Sequence, residues 1–363
     1  MKKTLLSGAA LLAIAVSAPA QAEGLSLDIG GHFKGYAAYN DFASGDERKA
    51  DFRKDTEIHA TGETTLDNGL TVGVHVELNV DGADGDAGVD ESYAYLSGGW
   101  GRVNFGDEDG AAYLLQVAAP SADSNVDGLR QHISSVGSVP ILGALDYDHA
   151  HAQDSTKFTY MTPVFNGFQA GVSYVPSVNV DVTVDSGDIT GAAVSGYAGS
   201  VALPATPDFE DGWEAAARYE GVFEGVGVAL GAGYSHYNAV DSDIADAKAW
   251  NVGVDLDYAG IGLGAAYLDE EVSDLVDVKT WVVGADYQLG AYKLGLTYLD
   301  KDIEGGEFDG TTVDADADFS RWTAGAAYSY GPGMTFRGSV SYIDEDVSGD
   351  DGYEVLVGTQ INF

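Results

Sequence analysis

Apolar and polar residues alternate along most of this chain, most cleanly in Trp250-Asn251-Val252-Gly253-Val254-Asp255-Leu256-Asp257-Tyr258. Every even position there is apolar, and every odd one is polar or glycine. Successive side chains of a strand point to opposite faces, so the segment has one apolar face and one that carries Asn251, Asp255 and Asp257. The parity recurs. Phe168, Ala170, Val172 and Tyr174 share a face, as do Val226, Val228, Leu230, Ala232 and Tyr234. So do Tyr292, Leu294, Leu296 and Tyr298, and Trp322, Ala324, Ala326 and Tyr328. The opposite faces hold Gly, Ser, Thr, Asp, Lys or Arg. The pattern predicts strands near 25–39, 53–66, 70–79, 91–98, 101–107, 155–163, 168–175, 212–222, 226–237, 248–258, 261–269, 278–289, 291–300, 318–330, 333–343 and 353–363. Many are close to the nine to eleven residues with which a tilted strand crosses a bilayer.

The connectors sharpen this reading. Asp67-Asn68-Gly69, Gly98-Gly99, Asn166-Gly167, Ala259-Gly260, Gly290 and Gly331-Pro332-Gly333 are tight turns, with residues that supply the positive or fixed φ of short hairpins. Between them lie long Asp-, Gly- and Ser-rich connectors at 40–52, 80–90, 108–154, 176–211, 238–247, 270–277, 301–317 and 344–352. Short and long alternate, which places the long loops on one rim. An even number of strands, about sixteen, with that asymmetry describes an all-β, antiparallel transmembrane barrel. A polar inner face implies a water-filled interior. Beyond the N-terminus, no segment approaches the run of apolar residues a membrane helix needs, and only a closed barrel would satisfy the backbone in hydrocarbon.

Residues 1–22 read as a signal peptide: Lys2 and Lys3, an apolar core from Leu5 to Val16, and Ala20-Gln21-Ala22 before the cut. Residues 23–363 then form one barrel domain, with no linker to divide it. There is no cysteine, so neither a disulfide framework nor a thiolate metal site is available. Acidic residues outnumber basic ones by 58 to 17, for a net charge of −41. Such a chain will not bind nucleic acid through its phosphates, and its acidic loops attract cations.

Tyr93-Ala94-Tyr95-Leu96-Ser97-Gly98-Gly99-Trp100-Gly101-Arg102-Val103-Asn104-Phe105-Gly106-Asp107 resembles the hairpin that leads into the third loop of Gram-negative general diffusion porins. The alternating C-terminal run from Tyr353 to Phe363 looks like the outer-membrane insertion signal of that group. The resemblance implies a sixteen-stranded outer-membrane barrel, a homotrimer, passive diffusion of ions and small hydrophilic solutes, and a third loop folded into the lumen. The connector at 108–154 suits that loop. It carries Ala111-Ala112-Tyr113-Leu114-Leu115-Gln116-Val117 at helix spacing and then Val139-Pro140-Ile141-Leu142, apolar residues that need a wall to pack on.

Lys34, Arg53, Arg102, Lys157, Arg218, Lys293, Arg321 and Arg337 sit one position off the apolar parity and so point inward. Lys34, Arg321 and Arg337 are expected to be neighbours on closure. Facing this basic wall are the connector's acids: Asp107, Glu108, Asp109, Asp123, Asp127, Asp146 and Asp148. Opposed clusters would set up a transverse field that rejects apolar solutes, with a cation preference from the overall acidity. No cofactor is implied. Asp81, Asp84, Asp86 and Asp90 are calcium candidates without the order of a known calcium loop, and such acids also suit divalent bridges to outer-membrane lipid and lipopolysaccharide. Asp146-Tyr147-Asp148-His149-Ala150-His151 offers two imidazoles but too few convergent ligands for a metal centre.

Tyrosines cluster at strand ends, among them Tyr36, Tyr39, Tyr174, Tyr234, Tyr258, Tyr267, Tyr298, Tyr328 and Tyr342, and suggest an interfacial girdle. No catalytic motif is visible. Three alternatives remain: a solute-selective porin with an aromatic ladder in its lumen, an outer-membrane barrel enzyme with a Ser/His or Asp/His pair at the lumen or rim, and a soluble β-sandwich.

Overall fold

The computed structural model describes residues 26–42, 49–80, 88–122, 128–130, 133, 146–178, 209–241, 245–272, 274, 276–305, 307–308, 311–312, 317–345 and 351–363. The leader and Asp81, Asp84, Asp86, Asp123 and Asp127 lie outside them. The first half supplies β1 (Ser26–Phe42), β2 (Ala50–Thr65), β3 (Thr71–Asn79), β4 (Gly88–Gly98), β5 (Gly101–Asp107), a single helical turn α1 (Ala111–Leu114), β6 (Thr156–Met161) and β7 (Phe168–Val178). There follow β8 (Phe209–Phe223), β9 (Val226–Ala239), β10 (Ala247–Tyr258), β11 (Ile261–Val272), β12 (Val276–Leu289) and β13 (Tyr292–Gly305). A small hairpin, β14 (Glu307–Phe308) and β15 (Thr311–Thr312), precedes β16 (Ala317–Gly331), β17 (Met334–Glu345) and β18 (Gly352–Asn362).

Apart from β14 and β15, every strand belongs to one closed antiparallel barrel of sixteen strands, each hydrogen-bonded to its sequence neighbours. Each of the sixteen expected strands has its counterpart. Closure is made by β1 on β18, from His32 opposite Asn362 to Phe42 opposite Gly352. The Phe363 backbone adds two hydrogen bonds, Gly31 N to Phe363 O at 3.0 Å and Phe363 N to Gly31 O at 3.1 Å. Without an edge strand, no ladder group is left to hydrocarbon.

The tight turns have the backbone their residues allow. Asn166-Gly167 and Ala259-Gly260 have positive φ at both positions, 51° and 87°, then 53° and 86°. Glu224-Gly225 does the same at 49° and 89°, so this turn is of the same kind although its first residue is not a usual turn former.

Large apolar side chains cover the outside: Leu230, Val252, Leu263, Leu294, Leu296, Val340 and Val357 are all well exposed. Rings flank this band. Toward the long-loop rim, ring pairs run around the wall: Tyr174–Trp213 at 4.6 Å between centroids, Trp250–Tyr267 at 4.9 Å, Tyr298–Trp322 at 4.6 Å and Tyr342–Tyr353 at 5.0 Å. At the turn end stand Phe168–Tyr219 at 4.6 Å and Tyr292–Tyr328 at 4.7 Å. Amphipathic rings at both boundaries of an apolar band mark the two membrane interfaces. Tyr36 is not among them. It follows the parity of Lys34 and Ala38, is 3% exposed and points away from lipid.

The interior is not all water. Ala119, Leu129 and Tyr147 of the long connector form an apolar cluster with Phe42, Leu268, Val282, Leu299 and Ile343 of the wall.

Candidate functional site

The connector after β5 begins with Glu108-Asp109-Gly110, makes one turn of helix and then runs extended through Pro120. The helical spacing of 111–117 is thus realised only over Ala111–Leu114. The rest of this stretch follows the wall. Ala111 N donates to Ser173 Oγ at 2.9 Å, and Asn251 Nδ2 donates to Ala112 O at 3.3 Å. Thr297 Oγ1 donates to Pro120 O at 3.3 Å. Every one of these wall residues lies on the polar face of its strand. Beneath the stretch runs a track of glycines, one per strand: Gly231, Gly253, Gly264, Gly284 and Gly295. A Cβ on Gly253 would stand 2.1 Å from Val117 O, and one on Gly284 2.0 Å from Pro120 O. Only a wall without side chains admits a backbone this close.

The returning half is fixed as firmly. Tyr147 donates from its hydroxyl to Gly128 O at 2.8 Å, and Gln116 Nε2 donates to Tyr147 O at 2.8 Å. Lys301, buried on β13, donates to Asp146 O at 2.6 Å. His149 is 1% exposed and His151 6%. Burial holds both imidazoles neutral, pushing His149 down to about 3 and His151 to about 4. They serve packing and hydrogen bonding. Asn251 Nδ2 donates to His149 Nδ1 at 2.7 Å, which places the imidazole proton on Nε2, 2.7 Å from Ser235 Oγ. That pair has the composition of a nucleophile and its base, but the imidazole offers Ser235 a proton rather than a lone pair. Ser235 is also fully buried.

Seven of the basic residues named from parity stand beside an oxygen on the polar face. Lys34 Nζ is 3.5 Å from Asp55 Oδ2, and Arg53 Nε is 3.5 Å from Asp51 Oδ2. Arg321 donates to Thr323 Oγ1 at 2.8 Å and lies 3.8 Å from Glu354. Arg218 meets Glu220 and donates to Gln116 O at 3.0 Å. Lys293 is 2.7 Å from Asp286. Lys157 donates to the backbone carbonyls of Glu108 and Gln153. Arg102 donates to Asn104 at 2.7 Å and lies 4.0 Å above the Tyr95 ring. Arg321 and Arg337 are not side by side: Arg337 pairs in register with Ala327, six residues along β16 from Arg321. The cations are spread around the barrel, not gathered on one wall.

Among the acids, Glu108 and Asp109 are buried. Burial pushes the Glu108 carboxyl up to about 7, with Arg102 and Lys157 opposing, and raises that of Asp109. It pushes Asp154 up to about 8. Asp107 stands apart on the Phe105 side of β5, where Thr156 donates to it. Asp109 and Asp148 are bridged by Arg130, at 3.0 and 2.8 Å, with the guanidinium 4.5 Å over the Tyr113 ring. Arg130 was not foreseeable, since no strand parity applies within a connector.

A second feature follows from strand parity. His32, His59 and His75 fall on inward parity of β1, β2 and β3, interleaved with Asp55, Glu57 and Glu77. Their rings form a file: His32–His59 at 6.4 Å, His59–His75 at 5.7 Å, His75–Tyr93 at 5.2 Å and Tyr93–Tyr95 at 6.4 Å. Asp90, expected to belong to an acidic loop, stands with Glu57 and Glu77 at the head of β4.

A closed sixteen-stranded barrel with an apolar band between aromatic belts, and a charged polar face within, defines an outer-membrane β-barrel of the channel-forming kind. The chain belongs to the Gram-negative porins: the sequence model of that family matches residues 8–348. Solved structures agree on the fold. The anion-selective porin from Comamonas acidovorans superposes with a TM-score of 0.62 at 16% identity, covering 93% of this chain and 100% of that one. In-vitro folded OmpT, an outer membrane protein of Vibrio cholerae in its trimer form, gives 0.60 at 12%, covering 94% and 100%. A variant of the Rh. blastica porin gives 0.58 at 18%, covering 93% and 100%. No curated protein sequence matches significantly.

Proposed function

We propose that this porin is a homotrimeric, water-filled channel for passive diffusion of ions and small hydrophilic solutes, with a preference for cations. In this reading the 108–154 connector folds inward and forms the constriction, with Glu108, Asp109, Asp146 and Asp148 on its rim side. The observation that carries the cation preference is the pairing of the lumen bases. Lys34, Arg53, Arg218, Lys293 and Arg321 each have a carboxylate within 4 Å. Paired bases contribute little field beyond a Debye length of about 8–10 Å. The excess of acids, −41 overall, then governs what gathers at the mouth. The Comamonas acidovorans porin is anion-selective; at 16% identity it lends this chain its fold alone.

The trimer is supported by the outer face. The ring pairs of the rim belt run over β7–β18, whereas the outward positions of β2 include Thr56, Gly62 and Thr64. A face with fewer lipid-anchoring rings suits protein contact. The acidic loops are suited to divalent bridges to lipopolysaccharide. A solute-selective channel is the second reading, favoured by the file of His32, His59, His75, Tyr93 and Tyr95 rings along β1–β4. The reversal potential in planar bilayers under a KCl gradient tests the first. Cation preference that fades as salt rises is expected, and anion preference at low salt overturns it.

A further inference from the structure

The geometry points to a binding site for a divalent transition-metal ion on the wall of β2 and β3, formed by His59, His75 and Glu77. One ligand atom from each of these residues lies within 4.8 Å of the other two. Glu77 Oε2 is 2.8 Å from His59 Nδ1 and 3.9 Å from His75 Nε2. Two donors bound at about 2.0–2.1 Å to one tetrahedral ion stand about 3.3 Å apart, so these separations bracket the spacing an ion would impose. Small rotations of three side chains suffice. The backbone needs no change, because His59 pairs directly with Glu77 across the ladder, and Thr61 with His75.

The second observation is what lies behind the ligands. A metal-bound histidine gives its other ring N–H to an oxygen, which fixes the tautomer and aims the lone pair. His75 Nδ1 is 2.9 Å from Thr61 Oγ1, which leaves Nε2 to face Glu77. His59 Nε2 is 3.6 Å from Glu57 Oε2, which leaves Nδ1 to do the same. Glu57 is in turn 3.3 Å from His32 Nδ1. Both imidazoles thus have an oxygen behind their outer nitrogen, and both turn the other nitrogen to the same carboxylate, where an ion would take the place of the proton that His59 Nδ1 now donates to Glu77.

Two imidazoles and one carboxylate suit zinc, copper or nickel; calcium and magnesium prefer all-oxygen shells. Three protein ligands leave a coordination position for water or solute, and the His59 side chain is 31% exposed, so an ion has a route in. Set in a channel wall, such a site would hold and release transition-metal ions from the stream.

Titration calorimetry of the detergent-solubilised, tag-free protein with zinc chloride tests this without relying on conduction, so a failed channel assay and a failed metal site are separate results. One zinc per chain is expected, with no comparable heat from calcium. The double substitution His59→Asn with His75→Asn should weaken binding at least 100-fold. Glu57→Gln, which replaces no ligand but alters the group behind His59, should weaken it by about 10- to 100-fold. Should the double variant not fold, His75→Ala alone carries the comparison. Absent zinc binding, or equal affinity in the histidine variants, overturns the assignment.

Discussion

The glycine track lends itself to a quantitative test. Gly253 and Gly284 lie under the extended connector, where an added Cβ would meet Val117 O at 2.1 Å and Pro120 O at 2.0 Å. Carbon contacts become comfortable near about 3.5 Å, so each alanine asks the connector to withdraw by about 1.5 Å. The obstructing atoms are backbone and cannot rotate aside. Overpacking of this kind costs about 1–3 kcal/mol. Without a clash the sign would be reversed, because alanine in a strand is favoured over glycine by about 0.5–1 kcal/mol. Gly338 supplies that control: its Cβ would meet Leu356 O at 3.6 Å and Val357 Cγ2 at 3.8 Å, both ordinary contacts. Gly253→Ala and Gly284→Ala should therefore lower the urea midpoint, while Gly338→Ala leaves it equal or higher. The connector is tethered on both sides, by Asn251 to Ala112 and by Lys301 to Asp146. It should thus shift toward the axis and reduce single-channel conductance. If all three variants match the unmodified protein in midpoint and conductance, the connector is not seated on the track.

Deleting about 115–135 should remove the constriction and raise conductance, read in planar bilayers; an unchanged value in a folded variant counts against the inward connector. Cation preference should rise with pH. The Glu108 and Asp154 carboxyls, pushed by burial up to about 7 and about 8, are protonated and neutral below those values and gain negative charge above them. Reversal potentials from pH 5.5 to pH 9 should show it, and Glu108→Gln with Asp154→Asn should flatten the profile. Arg130→Met strands Asp109 and Asp148, at a cost of about 2–3 kcal/mol in unfolding free energy. That is below the full figure for breaking a buried pair, because Arg130 is 33% exposed. Crosslinking in mild detergent should trap trimers through the β1–β5 face; monomers alone would refute that contact.

Much of the barrel was legible in the residues. Strand number, the side each residue faces and the position of the tight turns depend on a period of two and on the local preferences of Gly, Asn and Pro, all within a few neighbours. The inward direction of Lys34, Arg102 and Arg321 follows from parity alone. What those residues meet does not. Glu354 comes to Arg321 only because two strands separated by β17 each turn the right face inward, and Lys34 meets Asp55 through the register of β1 on β2. The glycines of β9–β13 read as small residues lining water; their role as a seat for Val117 and Pro120 depends on a connector from more than a hundred residues away. Tyr36 looked like an interfacial ring by its place near a strand end, and only its parity within the closed wall turns it inward. The inward parity of His32, His59 and His75 is legible strand by strand, but their meeting in one file is not, since each histidine is alone on its strand. Closing the sheet fixes the register, and the register brings three separate side chains to one place.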